Sequence, residues 1–408
     1  MQRYDVLIVG GGPAGAAVAR DVAAAGFSVA ILERDQAVGR PVQCSGLVTE
    51  RTLVTASILP DVAHNELRGA SIFSPSGSRY EIGGDRVHAY VMDRGDFDRR
   101  MMKHALESNV ELHVDTRVVR IWYESDEVRL IAEHGGKEVS FATKLVIGAD
   151  GPRSIVADFL ELPPPVEILR ARGADVRLPN RPSIDRVLIF LGERYAAGFF
   201  AWAIPLGEDR YRVGWGTSRP GPGNGLEHLA ADYPHIFDGM EILSQTGGLI
   251  PLGPRPRTSG IYGMVVGDAA GQAKATSGGG LYTALTCAKH CATVAIDALT
   301  NHDTSATRLA NYDAKWRSHI GKELARATAL RQSFRELSDP EIEWGLRMLR
   351  IPGMTHLVNR YGDIDYPSIL AKAALRTAPP LWRLTHGRRS VMTVFDDDDV
   401  PMVHPVGD

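Results

Sequence analysis

Gly10-Gly-Gly-Pro-Ala-Gly15, Glu33, Cys44, Asp150-Gly151, Gly267-Asp268 and Ser277-Gly-Gly-Gly280 are the residues of this chain whose types and spacing point to chemistry. In the first group Gly10 allows a tight turn, Gly12 lets the backbone approach a pyrophosphate, and Gly15 brings a helix against a strand. Unpaired N–H groups at the start of that helix face the phosphates. Glu33 stands where a carboxylate accepts hydrogen bonds from an adenosine ribose. Asp150-Gly151 and Gly267-Asp268 each end a buried apolar run, the position at which ligands of open α/β sheets are found. Ser277 to Gly280 opens a helix, and glycines there leave N–H groups free for an anion. Cys44 is the most reactive side chain of the polar, Gly/Pro-punctuated loop from Arg34 to Gly46. That loop follows the strand that reads the ribose, so it runs along the cofactor toward its reactive ring. A free cysteine is equally well explained as a small buried hydrophobe. The first group calls for a dinucleotide and does not separate FAD from NAD.

The elements that must hold these residues follow in order. Val6 to Val9 reads as a buried parallel strand, with a helix to about Ala25 and a second strand from Ser28 to Leu32. A short helix and a hairpin (70–74 and 78–82) occupy the region 51–90. Asp93 caps a helix that runs to about Ser108. Arg94 at its start could reach a phosphate or a flavin edge; taken alone it reads as part of a solvated charge cluster. Residues 110–114, 117–123, 128–132 and 139–141 alternate like a meander, and Lys144 onward returns to the first sheet. Three prolines at 163–165 mark a boundary. Strands follow at 168–176, 186–191, 198–204, 210–216 and 241–250, carrying Phe199, Phe200, Trp202, Tyr211 and Trp215. Such a sheet either lines an apolar pocket or packs on another domain. The glycines at 278–280 open a helix to about Leu299, on which Cys287 and Cys291 share a face and read as core. Helices are expected at 304–337, 339–349 and 365–389. Arg388 and Arg389, near Trp382 and Leu384, read as a solvated helix end or a contact with a membrane or phosphate headgroup. Asp396 to Asp399 form an acidic tail.

At 44% hydrophobic, 23% charged and net charge −3, the composition makes no electrostatic case for nucleic acid. No apolar stretch is long enough to span a bilayer, so any membrane contact would be peripheral. The first residues enter a strand directly, and no signal peptide is expected. Three cysteines make no disulfide framework, and a reducing cytoplasm is the expected location. The thirteen histidines show no HxxxH spacing, so no metal site is expected.

Together the three turns fit one extended FAD, and over residues 1–300 the set resembles the para-hydroxybenzoate-hydroxylase-like flavoprotein superfamily. The resemblance implies that Gly10, Gly12, Gly15 and Glu33 form the ADP site, with Pro13, Ala14, Arg34 and Val118 among the other cofactor contacts. Arg94 becomes a pyrophosphate or ribityl contact. Asp150-Gly151 matches the superfamily's DG turn, and Gly267-Asp268 its GD turn, whose aspartate holds the ribityl hydroxyls. Gly278, Gly279, Gly280 and Leu281 would face the isoalloxazine. Within the superfamily the chain is similar to the archaeal-type geranylgeranyl reductases. Phe200-Ala-Trp-Ala-Ile-Pro205, eight residues, and Gly214-Trp-Gly216 resemble their (Tyr/Phe)-x-Trp-x-Phe-Pro followed by Gly-x-Gly. Phe200, Trp202, Pro205, Gly214, Trp215 and Gly216 are thereby implied as substrate contacts. Pro41-Val-Gln-Cys44-Ser-Gly46 resembles the family's Pro-x-x-Cys-Gly segment, which makes Cys44 the implied catalytic residue. Ile204 replaces the usual Phe, Ser45 interrupts Cys-Gly, and Ala273-Lys-Ala-Thr-Ser lacks the usual proline.

The fold expected is α/β: a Rossmann-like FAD-binding domain from discontinuous segments (1–66, 90–162 and 255–330), an antiparallel-sheet substrate domain (67–89 and 163–254) and a helical C-terminal region (331–408). The function implied is FAD-dependent reduction of isoprenoid C=C bonds of a geranylgeranyl lipid. Electrons would come from an external donor such as NADPH or ferredoxin, since no second strand–GxGxxG–helix unit exists. A flavin-dependent aromatic monooxygenase is the alternative. Halogenation is disfavoured because the first lysine, Lys103, lies inside a helix. A third reading is a flavin- or lipid-binding protein without turnover.

Overall fold

The computed structural model describes residues 1–385 apart from 59 and 220–222; Arg388, Arg389 and the Asp396–Asp399 tail fall outside them. The apolar run at the N-terminus is unbroken because it is covered on both faces. Val6 and Ile8 pack on one side and Leu7 and Val9 on the other. Each such side chain contributes roughly 1.5–3 kcal/mol on burial. Its strand, Gln2–Val9, lies between Val29–Leu32 and Lys137–Gly148, parallel to both. Gly263–Val265 pairs in parallel with the C-terminal end of Lys137–Gly148. Helices Pro13–Ala24, Arg94–Glu107 and Leu281–Thr300 cover one face, with Cys287 and Cys291 in that core. The hairpin strands Thr116–Glu124 and Glu127–His134, with helix Ile155–Phe159, cover the other.

The first strand expected of the meander is not part of it. Glu111–His113 joins the parallel sheet beside Val29–Leu32. The preceding helix Arg94–Glu107 crosses over the sheet, and such a crossover delivers the next strand parallel. The remaining three strands do form the meander.

A second sheet of seven strands runs in the order Glu241–Leu252, Glu167–Arg177, Arg210–Thr217, Ala201–Gly207, Arg186–Phe190, Gly69–Phe73, Arg79–Gly83. It is antiparallel except where Gly69–Phe73 meets Arg186–Phe190. One face packs on helices Gly225–Asp232 and Pro234–Phe237 through Phe190, Tyr195, Leu229 and Phe237. At its far end helix Met354–Tyr361 lies beside the last strand, where Asn359 accepts from Gly83 N–H (2.8 Å) and donates to Gly83 O (2.9 Å).

The helix expected over 304–337 is Ala306–Trp316 and Lys322–Phe334 joined by a π-helical turn, Arg317–Gly321. There the Arg317 guanidinium covers the Trp316 ring and donates to the carbonyls of Arg255 and Pro256. No helix of the described residues is long and apolar enough to cross a membrane. Nor do these residues gather a cluster of metal-ligating side chains.

Candidate active site

The glycines of the first turn differ in what surrounds them. Gly10 has φ +102°, and a Cβ there would sit 2.3 Å from Ala149 O. A Cβ on Gly15 would lie 2.2 Å from Gly10 O and 3.3 Å from Ile8 Cγ2, so this glycine does set helix on strand. At Gly12 nothing lies within 4 Å. Gly12 is also the N-cap of helix Pro13–Ala24, which has no side-chain cap and begins with Pro13 and Ala14. The first N–H groups of such a helix lack intrahelical partners. Glu33 is fixed beside the turn, accepting from Gly11 N–H at 2.6 Å and Asp35 N–H at 2.9 Å. Arg34 is exposed. The Val118 side chain is buried with Leu7 and Leu130, which leaves main-chain atoms as its only means of meeting a ligand.

The other two turns converge on the same cleft. Asp150 accepts from Ile155 N–H at 2.8 Å through Oδ2, while its Oδ1 is buried with no protein partner. Burial pushes this carboxyl up, against the hydrogen bonds it accepts. Gly267 (φ +68°) would place a Cβ 3.4 Å from Ala14, and its N–H donates to Gln272 at 2.8 Å. Asp268 lies 3.4 Å from where a Gly280 Cβ would be. Water reaches its carboxyl, but the surrounding protein still desolvates it and pushes it up, opposed by the charge of Arg94. Arg94 bonds Asp98 at 2.6 Å and faces the Cys44 thiol. Cys44, Arg94, Asp268 and Gly280 therefore share one cleft.

Cys44 is held by residues the sequence reading missed. Arg212 donates from Nη1 to the carbonyls of Cys44 (3.1 Å) and Ser45 (3.2 Å), and it is itself gripped by both oxygens of Asp175 at 2.7 and 3.0 Å. Thr246 donates to Val42 O at 3.0 Å. The sulfur accepts from Gly46 N–H at 3.4 Å. Gly46 (φ +76°) takes a conformation other residues rarely adopt, and a Cβ there would meet Met92 O at 2.5 Å. The available signal was period two: Arg212 precedes Gly214 by two residues and so shares its strand face.

On that face Gly-x-Gly has a steric meaning. A Cβ on Gly214 would lie 2.5 Å from the Trp202 ring, and one on Gly216 would lie 2.7 Å from Phe199 and 2.8 Å from Leu169. The glycines let both aromatic rings lie flat on the sheet. Phe199 stacks on Phe200 with centroids 4.2 Å apart, and Phe200 meets Trp202 edge-on at 5.8 Å. Ile250 and Phe199 are 3.4 and 3.7 Å from where a Gly278 Cβ would be, so this apolar wall abuts the Gly278–Gly280 turn ahead of Leu281. Pro205 is buried in the strand, and its carbonyl accepts from Asn65. Trp215 does not join the group. It projects from the opposite face into the core with Tyr195 and Leu226, as alternation along a strand requires. Gly214→Ala is expected to displace the Trp202 indole and cost about 1–3 kcal/mol, as overpacking does; a urea melt with tryptophan fluorescence measures both.

The residues present fit an extended dinucleotide with a ring system at its far end. Gly12 leaves room for the pyrophosphate, Asp150 Oδ1 lacks a partner, and the glycine turn at 278–280 adjoins the apolar wall.

The family model of an FAD binding domain matches residues 3–177. Digeranylgeranylglycerophospholipid reductase 1 of Methanococcoides burtonii is 32% identical over 352 residues, 84% of this chain and 86% of that protein. Digeranylgeranylglycerophospholipid reductase 2 of Methanopyrus kandleri is 32% identical over 368 residues, 83% of this chain and 88% of its own. Among solved structures, a geranylgeranyl bacteriochlorophyll reductase-like protein from Thermoplasma acidophilum superposes with a TM-score of 0.81 at 23% identity, over 94% of this chain and 100% of that one. A flavin-dependent brominase shares the fold at TM-score 0.69 and 18% identity, over 93% of this chain and 100% of that one.

Proposed function

The chain belongs to the digeranylgeranylglycerophospholipid reductase family, and from that premise we propose that it reduces isoprenoid C=C bonds of a prenyl lipid where Phe199, Phe200 and Trp202 meet the Gly278–Gly280 turn. The enzyme is an FAD-dependent oxidoreductase. FAD, when bound, supplies the hydride from its reduced ring. Gly10, Gly12, Gly15 and Glu33 would hold its ADP portion, Asp268 the ribityl hydroxyls, and the N–H groups before Leu281 the ring's negative charge.

An isolated alkene has no carbonyl to take up charge, so alignment and exclusion of water have to carry the barrier. The wall of Phe199, Phe200, Trp202 and Ile250 provides the dry surface. Arg212, clamped by Asp175, fixes the loop that brings Cys44 beside Arg94. In this reading Cys44 positions the alkene or guides the proton to its second carbon. An external donor, NADPH or a carrier such as ferredoxin, provides the electrons, and contact with the membrane holding the lipid is peripheral. The protein acts in the cytoplasm.

The observation that carries the reading is the abutment of the aromatic wall on the Gly278 turn. Mass spectrometry of prenyl lipids after incubation with dithionite-reduced enzyme tests it. Wild type is expected to add two hydrogens per bond reduced, and Cys44→Ala to add fewer. No mass gain with any prenyl lipid would sink the proposal. The monooxygenase alternative is the weaker one, because the relatives at this identity are named reductases.

A further inference from the structure

Lys274 is buried in the wall of the cofactor cleft. Its side chain is 4% exposed, and Nζ donates to Asp365 Oδ1 at 2.6 Å and to the Ile364 carbonyl at 3.0 Å. A Cβ built on Gly279 would lie 3.3 Å from Lys274 Cε and 3.6 Å from Nζ. The main chains are joined as well: Lys274 N–H donates to Gly279 O at 3.0 Å, and Gly278 N–H to Lys274 O at 2.8 Å. The ammonium is thus the charged group nearest Gly279.

Asp365 is as deeply placed, 2% exposed, and its second oxygen accepts from Thr49 (2.5 Å) and Arg51 (3.1 Å). Arg51 also grips both oxygens of Asp363 and lies over the rings of Tyr282 and Tyr366, whose hydroxyls are 3.0 Å apart. Opposite charges therefore alternate from the 363–366 segment to the underside of the turn that starts helix Leu281–Thr300. A buried ion pair often stabilises a fold no better than apolar residues of similar volume. In a low-dielectric wall, however, its field reaches a neighbouring ligand with little screening.

We propose that Lys274, oriented by Asp365, raises the electron affinity of the bound FAD by adding its charge to the positive end of helix Leu281–Thr300, which favours the reduced, anionic ring. This rests on the reading of Gly278–Gly280 as the flavin-facing turn. Two electrons and one proton convert FAD to FADH⁻; dithionite supplies the electrons in the test, solvent supplies the proton, and no bond of the protein changes.

The experiment is a reductive titration of the FAD-loaded protein at pH 7 against a reference dye, without lipid, for wild type, Lys274→Met and Asp365→Asn. Lys274→Met is expected to lower the reduced-to-oxidised ratio at fixed potential about tenfold, roughly 30 mV for a two-electron couple. Asp365→Asn keeps the ammonium and removes its counter-charge, so it is expected to shift the ratio the other way. Opposite signs are what a purely structural role would not produce. Shifts of the same sign, or none, overturn the proposal. Should Lys274→Met fail to fold, Lys274→Arg must retain the wild-type potential and Asp365→Asn must still raise it. Failure to reduce lipid beside intact opposite shifts would remove the proposed reaction and leave this inference standing.

Discussion

Replacing Arg331 by methionine is expected to cost the folded protein about 3–5 kcal/mol, as breaking one side of a buried ion pair does. Arg331 is 2% exposed; it bonds Glu167 at 2.9 Å and the Gly198 carbonyl at 2.5 Å, contacts the Ser218 hydroxyl, and lies 5.0 Å from the centre of the Phe199 ring. The substitution leaves Glu167 with the half-exposed Arg335, 3.8 Å away, as its remaining counter-charge and removes the support behind the aromatic wall. The pH dependence has a defined sign. In the wild type burial alone would raise the Glu167 carboxyl, but Arg331, Ser218 and Arg335 outweigh it and hold the group below its usual value of 4.5. A depressed carboxyl stabilises fully above that unfolded-chain value, and the benefit is lost as pH falls through the lower folded one. In Arg331→Met burial prevails, the folded value rises, and the penalty is present at neutral pH and fades on acidification. Urea melts at pH 7 and pH 4 should show the gap between the proteins narrowing as pH falls. Arg331→Met/Glu167→Gln should recover a large part of the loss. An equal gap at both pH values would contradict this account.

Gly10→Ala is expected to yield no folded yellow protein, whereas Gly12→Ala should fold and fail to hold FAD. The methyl at position 10 meets Ala149 O at 2.3 Å and its carbonyl carbon at 2.6 Å, on a backbone with φ +102°. Strain of that kind is worth about 1–3 kcal/mol before the backbone clash is counted. At position 12 the same methyl touches no protein atom within 4 Å. It enters the space a pyrophosphate needs, and a loss of only about 1.4 kcal/mol there weakens FAD tenfold. Thermal melts of the apo-proteins and fluorescence titration with FAD separate the two effects. Wild-type affinity in Gly12→Ala would mean that the room beside this residue serves another purpose.

The parts of the site that were legible beforehand are those fixed by neighbours in the chain. Strand, Gly10, Gly12, Gly15, helix and Glu33 follow one another within a single βαβ unit, and each has a steric or hydrogen-bonding duty visible from its spacing. The same holds for Gly214 and Gly216, although their reason, the flat-lying rings of Trp202 and Phe199, emerges only in three dimensions. The resemblance includes Trp215 as the middle residue of Gly-x-Gly; alternation along the strand puts its side chain on the other face. The Arg212–Asp175 clamp and the charges from Arg51 to Lys274 left no local trace. Their partners lie 37 to 314 residues apart, and neither periodicity nor composition encodes which distant charges will meet. Glu111–His113 was misplaced for a related reason: three residues suit a hairpin or a parallel edge equally, and the crossover decides.

One amide at the rim of the seven-stranded sheet has a consequence for solubility. Asn359 makes with Gly83 the pair of hydrogen bonds that an incoming peptide would make, and its helix shields the strand Arg79–Gly83. An open-ended fibre built by sheet extension requires two receptive borders on every molecule. Among the described residues Asn359 occupies the outward backbone groups of Gly83, so at that end of the strand an added peptide would first have to displace the helix.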